Sequence, residues 1–186
     1  MATCNEALIV VDMTNDFVDN KGSLTVGKAA QDIVPYIIKQ ADEMLVKGGR
    51  VIFVNDAHSL DEEQFTSGQW PVHCIKETWG AILYEPLEEW YAENHDKNVS
   101  EYGKSHYDAF DAPLVNYSLM SNHPEDDVKI VHLCGVCTDI CIFATALGAY
   151  AKGYKVIVHR NGCATFTNNH ELFLKHMELC VKAEIR

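Results

Sequence analysis

The chain has 186 residues, 47% of them hydrophobic, enough for one domain with a sizeable core and too apolar for a disordered segment. Its formal net charge of −12 argues against a nucleic-acid partner, because phosphate binding needs a basic face. No apolar run is long enough to span a membrane, and the amino-terminal residues lack the basic region, apolar core and cleavage site of a signal peptide.

In chain order, residues 7–12 (ALIVVD) are an unbroken apolar run closed by an acid, the pattern of a strand buried on both faces of a parallel sheet. Residues 14–28 read as a loop around Gly22 and Gly27. Residues 29–47 carry Ile33, Ile37, Ala41, Met44 and Leu45 at helical spacing; Gly48 and Gly49 stop this helix, and Pro35 belongs near its first turn or bends it. Residues 50–55 (RVIFVN) form the second strand, followed by Asp56. Residues 57–79 have no clean period and read as a long loop with aromatics, the kind of segment that carries function. Residues 85–93 suit a short helix or turn, 98–104 a weak third strand and 113–122 a short helix. Residues 128–134 form a fourth strand. Gly135 breaks it, and Thr138 and Asp139 offer N-cap side chains to a helix over 139–152. A fifth strand over 154–159, a last helix over 169–181 and a short sixth strand at 183–186 complete the chain. Neither repeat, low-complexity tract nor linker divides it, so residues 1–186 are one domain. The alternation predicts an α/β fold, three layers α/β/α around a mostly parallel, doubly wound sheet. Seven cysteines, an odd number in no paired framework, fit reduced thiols and a cytoplasmic location.

In such sheets ligands bind outside the carboxyl ends of the strands. Asp12 ends the first strand, Asp56 the second and Lys104 the third, and Cys141 follows the fourth, so four chemically capable residues share one edge. Cys141 falls in the first helical turn, where free N–H groups favour negative charge and are expected to lower a thiol pKa. Taken singly, Cys141 reads equally as a small buried hydrophobe, Asp12 as a solvated strand end and Lys104 as a surface ammonium; their shared placement favours function. Asp12 can take the thiol proton, and Lys104 can hold both anions. No histidine stands at a strand end beside Cys141: His132 lies inside the fourth strand and His159 closes the fifth. Asp56 and His58, two apart in extended chain, point the same way, and His73 returns after Trp70-Pro71. One carboxylate and two imidazoles suit a divalent zinc, iron or manganese ion with positions left for water or substrate. Cys137 and Cys141 could also hold a metal on a helix, but no second pair completes a zinc site.

The ordered stretches VVDMTNDF at 10–17, GSL at 22–24, DAH at 56–58, WPVHC at 70–74, KSHYDAF at 104–110, GVCTDIC at 135–141 and NGCATF at 161–166 carry a resemblance over nearly the whole chain. The sequence resembles the isochorismatase-like cysteine hydrolases and, within them, the nicotinamidases (pyrazinamidases). The resemblance implies a triad of Asp12, Lys104 and Cys141, metal ligands Asp56, His58 and His73, and Phe17, Trp70 and Tyr107 sandwiching a pyridine ring. It implies a cis peptide before Cys137, in a turn that aims the N–H groups of Cys137 and Cys141 at one oxyanion position. The implied reaction converts nicotinamide to nicotinate and ammonia through a thioester on Cys141, with one divalent metal, zinc first, on the pyridine nitrogen. The implied partner is a small molecule, with neither nucleic acid nor membrane; association into a homo-oligomer is left open. Three departures stand out. Many relatives have a histidine shortly after D-x-H where this chain has Leu60-Asp61-Glu62-Glu63, which makes Glu62 the expected further ligand. Asp108 stands where serine is frequent and is expected to narrow the substrate range, and Cys137 stands where a small apolar residue is common. The rival readings are another hydrolase of the superfamily, acting on an N-carbamoyl or isochorismate-like compound, and a non-catalytic metal-binding protein on the same fold.

Overall fold

Six strands form one sheet: β1 (Glu6–Val11), β2 (Arg50–Asp56), β3 (Val99–Lys104), β4 (Ile130–Val136), β5 (Lys155–Ala164) and β6 (Glu184–Ile185). In this computed structural model, residues 4–121 and 123–186 are described; Met1–Thr3, and Asn122 at the end of the helix expected over 113–122, lie outside the described residues. The strand order is β3-β2-β1-β4-β5-β6, and every pairing is parallel. The chain builds outward from β1 to β3, returns to lay β4 on the other side of β1, and builds outward again. The reversal leaves a crevice between the carboxyl ends of β1 and β4, where ligands bind in sheets of this kind.

Among the described residues, seven α-helices accompany the strands: α1 (Asn15–Val18), α2 (Lys28–Val46), α3 (Glu63–Thr66), α4 (Glu85–Asn94), α5 (Pro113–Ser118), α6 (Cys141–Ala151) and α7 (His170–Cys180). Successive strand residues point to opposite faces, and two cores result. Leu8, Val10, Val51 and Phe53 pack with α2 and with Trp90 of α4. Ala7, Ile9, Val11, Ile52 and Val54 pack with residues of α5, α6 and α7. Covering both faces makes the three expected layers and explains why β1 reads as a continuous apolar run: Ala7 to Val11 are all fully buried. Each large apolar side chain so buried contributes roughly 1.5–3 kcal/mol. No helix among the described residues is long and apolar enough to cross a membrane.

Several expected boundaries move. Pro35 is not in the first turn of α2 but well inside it, on an exposed position, where it removes one helical hydrogen bond. Both expected loops hold a four-residue helix, α1 and α3. Gly135 does not break β4. It lies within the strand at φ 123°, and a Cβ there would overlap the Val11 carbonyl, so glycine lets β1 and β4 close up beside the crevice. β5 runs on to Ala164 because its pairing slips: Leu133 pairs with Val158 and Gly135 with Cys163, so β5 spends extra residues in a bulge.

The bulge starts at His159, which therefore lies inside β5 instead of closing it. His159 Nε2 lies 2.9 Å from His132 Nδ1, and His159 Nδ1 lies 2.9 Å from Tyr36 Oη. His132 Nε2 lies 3.2 Å from Glu6 Oε2. One proton arrangement serves the whole string. Tyr36 donates to His159, His159 donates to His132, and the remaining N–H of His132 faces the Glu6 carboxylate, with both rings neutral. Burial lowers the pKa of both rings, that of His159 to about 4, with the His132, Arg186 and Lys47 charges adding to the effect. An unfolded histidine titrates near 6.5, so between about pH 6.5 and pH 4 the unfolded chain binds protons that the folded one refuses. Stability is therefore lost as pH falls through that window, by up to about 1.4 kcal/mol per pH unit per histidine. Denaturant midpoints measured across it should fall less steeply for His159→Gln than for the wild type; parallel slopes would contradict the neutral pair.

Candidate active site

The carboxyl edge of the sheet brings the expected polar residues together. Asp12 follows β1 at φ 57°, a left-handed conformation that a short carboxylate tolerates better than most side chains. It is fully buried. Its Oδ1 accepts the Asp56 backbone N–H at 2.8 Å, and its Oδ2 accepts from Lys104 Nζ at 2.8 Å. The β2–β3 register pairs Asp56 with Lys104, which puts the two side chains on one face. Lys104 Nζ accordingly also donates to Asp56 Oδ1, and it lies 3.9 Å from Cys141 Sγ. The Asp12 carboxylate also acts on the Cys141 thiol, raising its pKa. One ammonium thus touches two carboxylates and a thiol, all buried.

Desolvation sets the charge states. Burial, with the Asp56 carboxylate adding to it, raises the Asp12 pKa to about 6 against the opposing pull of Lys104. Asp56 is buried too, but the Lys104 ammonium, with His58 and His73 beside it, holds it well below the usual carboxylate range. Burial works against the Lys104 charge, yet Asp12, Cys141 and Asp56 together push its pKa well up. Cys141 reverses an expectation. It is the first residue of α6, as a lowered pKa would require, but burial and then the Asp12 charge push the thiol well up. A helix terminus contributes about 0.3–1 kcal/mol, whereas full burial moves a pKa by up to about 3–5 units, so desolvation wins. The thiol is protonated at rest and needs its neighbouring base.

The elbow before α6 is held differently from the capped helix start expected of it. The residue at the N-cap is Ile140. Asp139 turns away and accepts from Thr165 Oγ1 at 2.6 Å, Thr167 Oγ1 at 2.5 Å and Asn169 Nδ2 at 3.3 Å. Thr138 Oγ1 pairs with His170 Nδ1 at 2.8 Å. The elbow is thereby pinned to the segment after β5. The Val136–Cys137 peptide is cis. Cys141, opening the helix, has an N–H with no intrahelical acceptor. Burial pushes the Cys137 thiol up to about 12.

Beside this group, Asp56 Oδ2 lies 3.4 Å from His58 Nε2 and 3.6 Å from His73 Nε2. The three ligand atoms all lie within 4.8 Å of one another, and the three residues are buried. His58 Nε2 has no hydrogen-bond partner among the described residues. Each ring is engaged from its other side, His58 Nδ1 by Glu62 Oε2 at 2.7 Å and His73 Nδ1 by the Pro71 carbonyl at 2.7 Å. One carboxylate and two imidazole nitrogens, converging with a buried nitrogen left unpaired, fit a divalent cation. Glu62 stands on the far side of His58 and does not join the three.

The pocket over these residues is lined by Phe17, Trp70 and Tyr107, by Asp56, His73, Cys137 and Cys141, and by Leu24, Gln64, Ile140 and Phe166. The last four were not singled out from sequence. Leu24 and Phe166 belong to the GSL and NGCATF stretches, so they carried a signal without a role; Gln64 and Ile140 carried none. Asp16 is a further residue that sequence reasoning passed over. Buried, it accepts the Ser23 N–H at 3.0 Å and the Cys74 N–H at 2.7 Å, which ties down the loop carrying His73. Asp108 accepts the Phe110 N–H at 2.9 Å and packs against Gly148 of α6, so it does not line the pocket. The pocket has about 20 Å³ of free space, roughly the room of one water. Trp70 Nε1 donates to Tyr107 Oη at 2.9 Å across its mouth. Outside lies a vestibule of about 570 Å³ bounded by Glu62, Gln69 and His106 among others.

Residues 6–185 match the isochorismatase domain family. The chain is similar to the nicotinamidase/pyrazinamidase of Bacillus subtilis, whose crystal structure superposes with a TM-score of 0.87 at 34% identity, covering 97% of this chain and 98% of that one. It is 30% identical over 189 residues to a nicotinamidase of Saccharomyces cerevisiae, covering 82% of this chain and 85% of the relative. A pyrazinamidase of Pyrococcus horikoshii, whose structure was determined in complex with zinc, superposes with a TM-score of 0.78 at 28% identity and covers 98% of this chain and 99% of that one.

Proposed function

The chain belongs to the isochorismatase family, and from that premise we propose that it is an amidohydrolase converting nicotinamide to nicotinate and ammonia. The observation that carries the reading is the buried Asp12–Lys104–Cys141 group set against a carboxylate–imidazole cluster under one aromatic pocket.

Asp12, with a pKa of about 6, is largely ionised at neutral pH and is a stronger base than an ordinary carboxylate. The thiol pKa is high, so sulfur surrenders its proton to Asp12 as it attacks the carboxamide carbon. The backbone N–H groups of Cys137 and Cys141 are the donors we assign to the resulting oxyanion. The C–N bond then breaks, and Asp12 returns the proton to the departing nitrogen as ammonia, leaving a thioester on Cys141. Asp12 next takes a proton from water as its oxygen adds to the thioester carbon. Expulsion of the sulfur, which takes that proton back, releases the carboxylic acid, which gives its remaining proton to solvent and becomes nicotinate. Lys104 balances the two carboxylates throughout and keeps Asp12 beside the sulfur. Asp56, His58 and His73 would hold a divalent cation, zinc by their donor set and by likeness to the Pyrococcus relative, and its Lewis acidity would serve the pyridine nitrogen. Phe17, Trp70 and Tyr107 grip the ring. The seven free thiols support a reducing compartment, the cytoplasm, as its location.

Ammonia release from a panel of amides tests the assignment. Nicotinamide and pyrazinamide should be turned over. Benzamide, without a ring nitrogen, should be at least about tenfold poorer, since a charge-assisted contact is worth about 1.5–3 kcal/mol. Equal turnover of benzamide would remove the metal–pyridine contact from the account. Turnover of N-carbamoyl compounds alone would move the chain to the rival hydrolase class.

A further inference from the structure

We infer that Glu62 is a positioning residue of the metal cluster: it holds the His58 ring in orientation from the Nδ1 side and does not itself bind the ion. The inference rests on the metal reading above.

The geometry is that of a carboxylate locked in place behind a ligand. His58 is 2% exposed, and its Nδ1 lies 2.7 Å from Glu62 Oε2. That oxygen also accepts from Gln64 Nε2 at 2.8 Å, while Oε1 accepts the Ser59 N–H at 2.8 Å. Three donors therefore hold the carboxylate. Gln64 Nε2 lies 3.1 Å from His58 Nδ1 as well, but its hydrogens are better directed to an acceptor, and Glu62 is one. A carboxylate only accepts, so Nδ1 is the donor in that bond, which leaves Nε2 as the ring nitrogen that can face an ion. Nε2 is the atom that faces Asp56 Oδ2 at 3.4 Å and has no hydrogen-bond partner among the described residues. The two ring nitrogens point in diverging directions, so an oxygen bonded to Nδ1 is turned away from an ion on Nε2. His73 is set the same way, with the neutral Pro71 carbonyl behind it. The anion behind His58 additionally raises the basicity of its imidazole as a ligand.

The test is zinc binding by metal-free protein in competition with a chromophoric chelator. Wild type should take up about one ion per chain, and Glu62→Ala should bind it about 10–100-fold more weakly, the usual cost of losing such a partner. Glu62→Gln keeps an acceptor for Nδ1–H without the charge and should fall between the two. Cobalt(II) substituted into wild type and into Glu62→Gln should give the same visible bands, because the ligand set is unchanged. Unaltered zinc affinity in Glu62→Ala would overturn the inference alone. So would a cobalt spectrum in Glu62→Gln that reports the loss of an oxygen ligand. A wild-type protein that takes up no zinc would overturn the metal reading, and this inference with it.

Discussion

Cys141→Ala should abolish amide turnover, by at least about 10⁴-fold, the scale on which removing a nucleophile acts. The neighbouring thiol at Cys137 makes this a sharp test, because both cysteines line the pocket and burial raises the pKa of both. The difference lies in their partners. Cys141 feels the Asp12 carboxylate and lies 3.9 Å from the Lys104 ammonium that Asp12 also holds. The side-chain partner of Cys137 is Thr165, which is no base. Proton transfer to a carboxylate is therefore available to Cys141. Cys137→Ala keeps the backbone N–H assigned to the oxyanion and should keep substantial activity. Mass spectrometry after exposure to a substrate-like electrophile should place the adduct on Cys141. An adduct on Cys137, or activity surviving in Cys141→Ala, would mean that the triad is misassigned.

The largest effect on stability is expected from Lys104→Met in metal-free protein. The side chain is long enough to fill the same space, but the charge is gone, and Asp12 and Asp56 are left buried without their common cation. Breaking a buried pair in this way costs about 3–5 kcal/mol. The cost also has a sign in pH. In the wild type, Asp56 has a lowered pKa, so its contribution is present above the unfolded carboxylate pKa and is lost as pH falls. In the variant both carboxylates have raised values, so the folded state holds extra protons and loses stability as pH rises. The gap between the two proteins should therefore widen from mildly acid to mildly alkaline pH. Urea midpoints at both ends of that range measure it. A variant as stable as wild type at alkaline pH would show that the ammonium is not the hub of the site.

Much of this was legible in the residues themselves. β1 and β2 are apolar runs ending in acids, and runs of that kind have few alternatives once helices alternate with them. The convergence of Asp12, Asp56, Lys104 and Cys141 followed from parallel strands alone. What escaped the sequence depends on tertiary surroundings. The helices α1 and α3 are four residues each, too short to show a period. Gly135 looks like a break when read locally, and only the nearness of Val11 shows that it lets two strands close up. Thr138 and Asp139 look like caps until Thr165, Thr167 and His170 arrive from elsewhere in the chain to engage them. The Cys141 pKa turns on burial, which no helix position reveals. For Glu62, the composition of the loop showed a carboxylate near His58 but not which ring nitrogen it would meet.

β3 is an edge strand, paired on one side only, and of its six residues Lys104 alone is buried. The ammonium shared by Asp12 and Asp56 is thus carried by a strand that pairs in the sheet with β2 alone. Edges of this kind open locally at free energies below that of global unfolding. Local opening of β3 would then carry Lys104 away from Asp12 and Asp56 without melting of the whole molecule. Amide hydrogen exchange along Val99–Lys104 would report how often Lys104 parts from its two carboxylates while the rest of the protein remains folded.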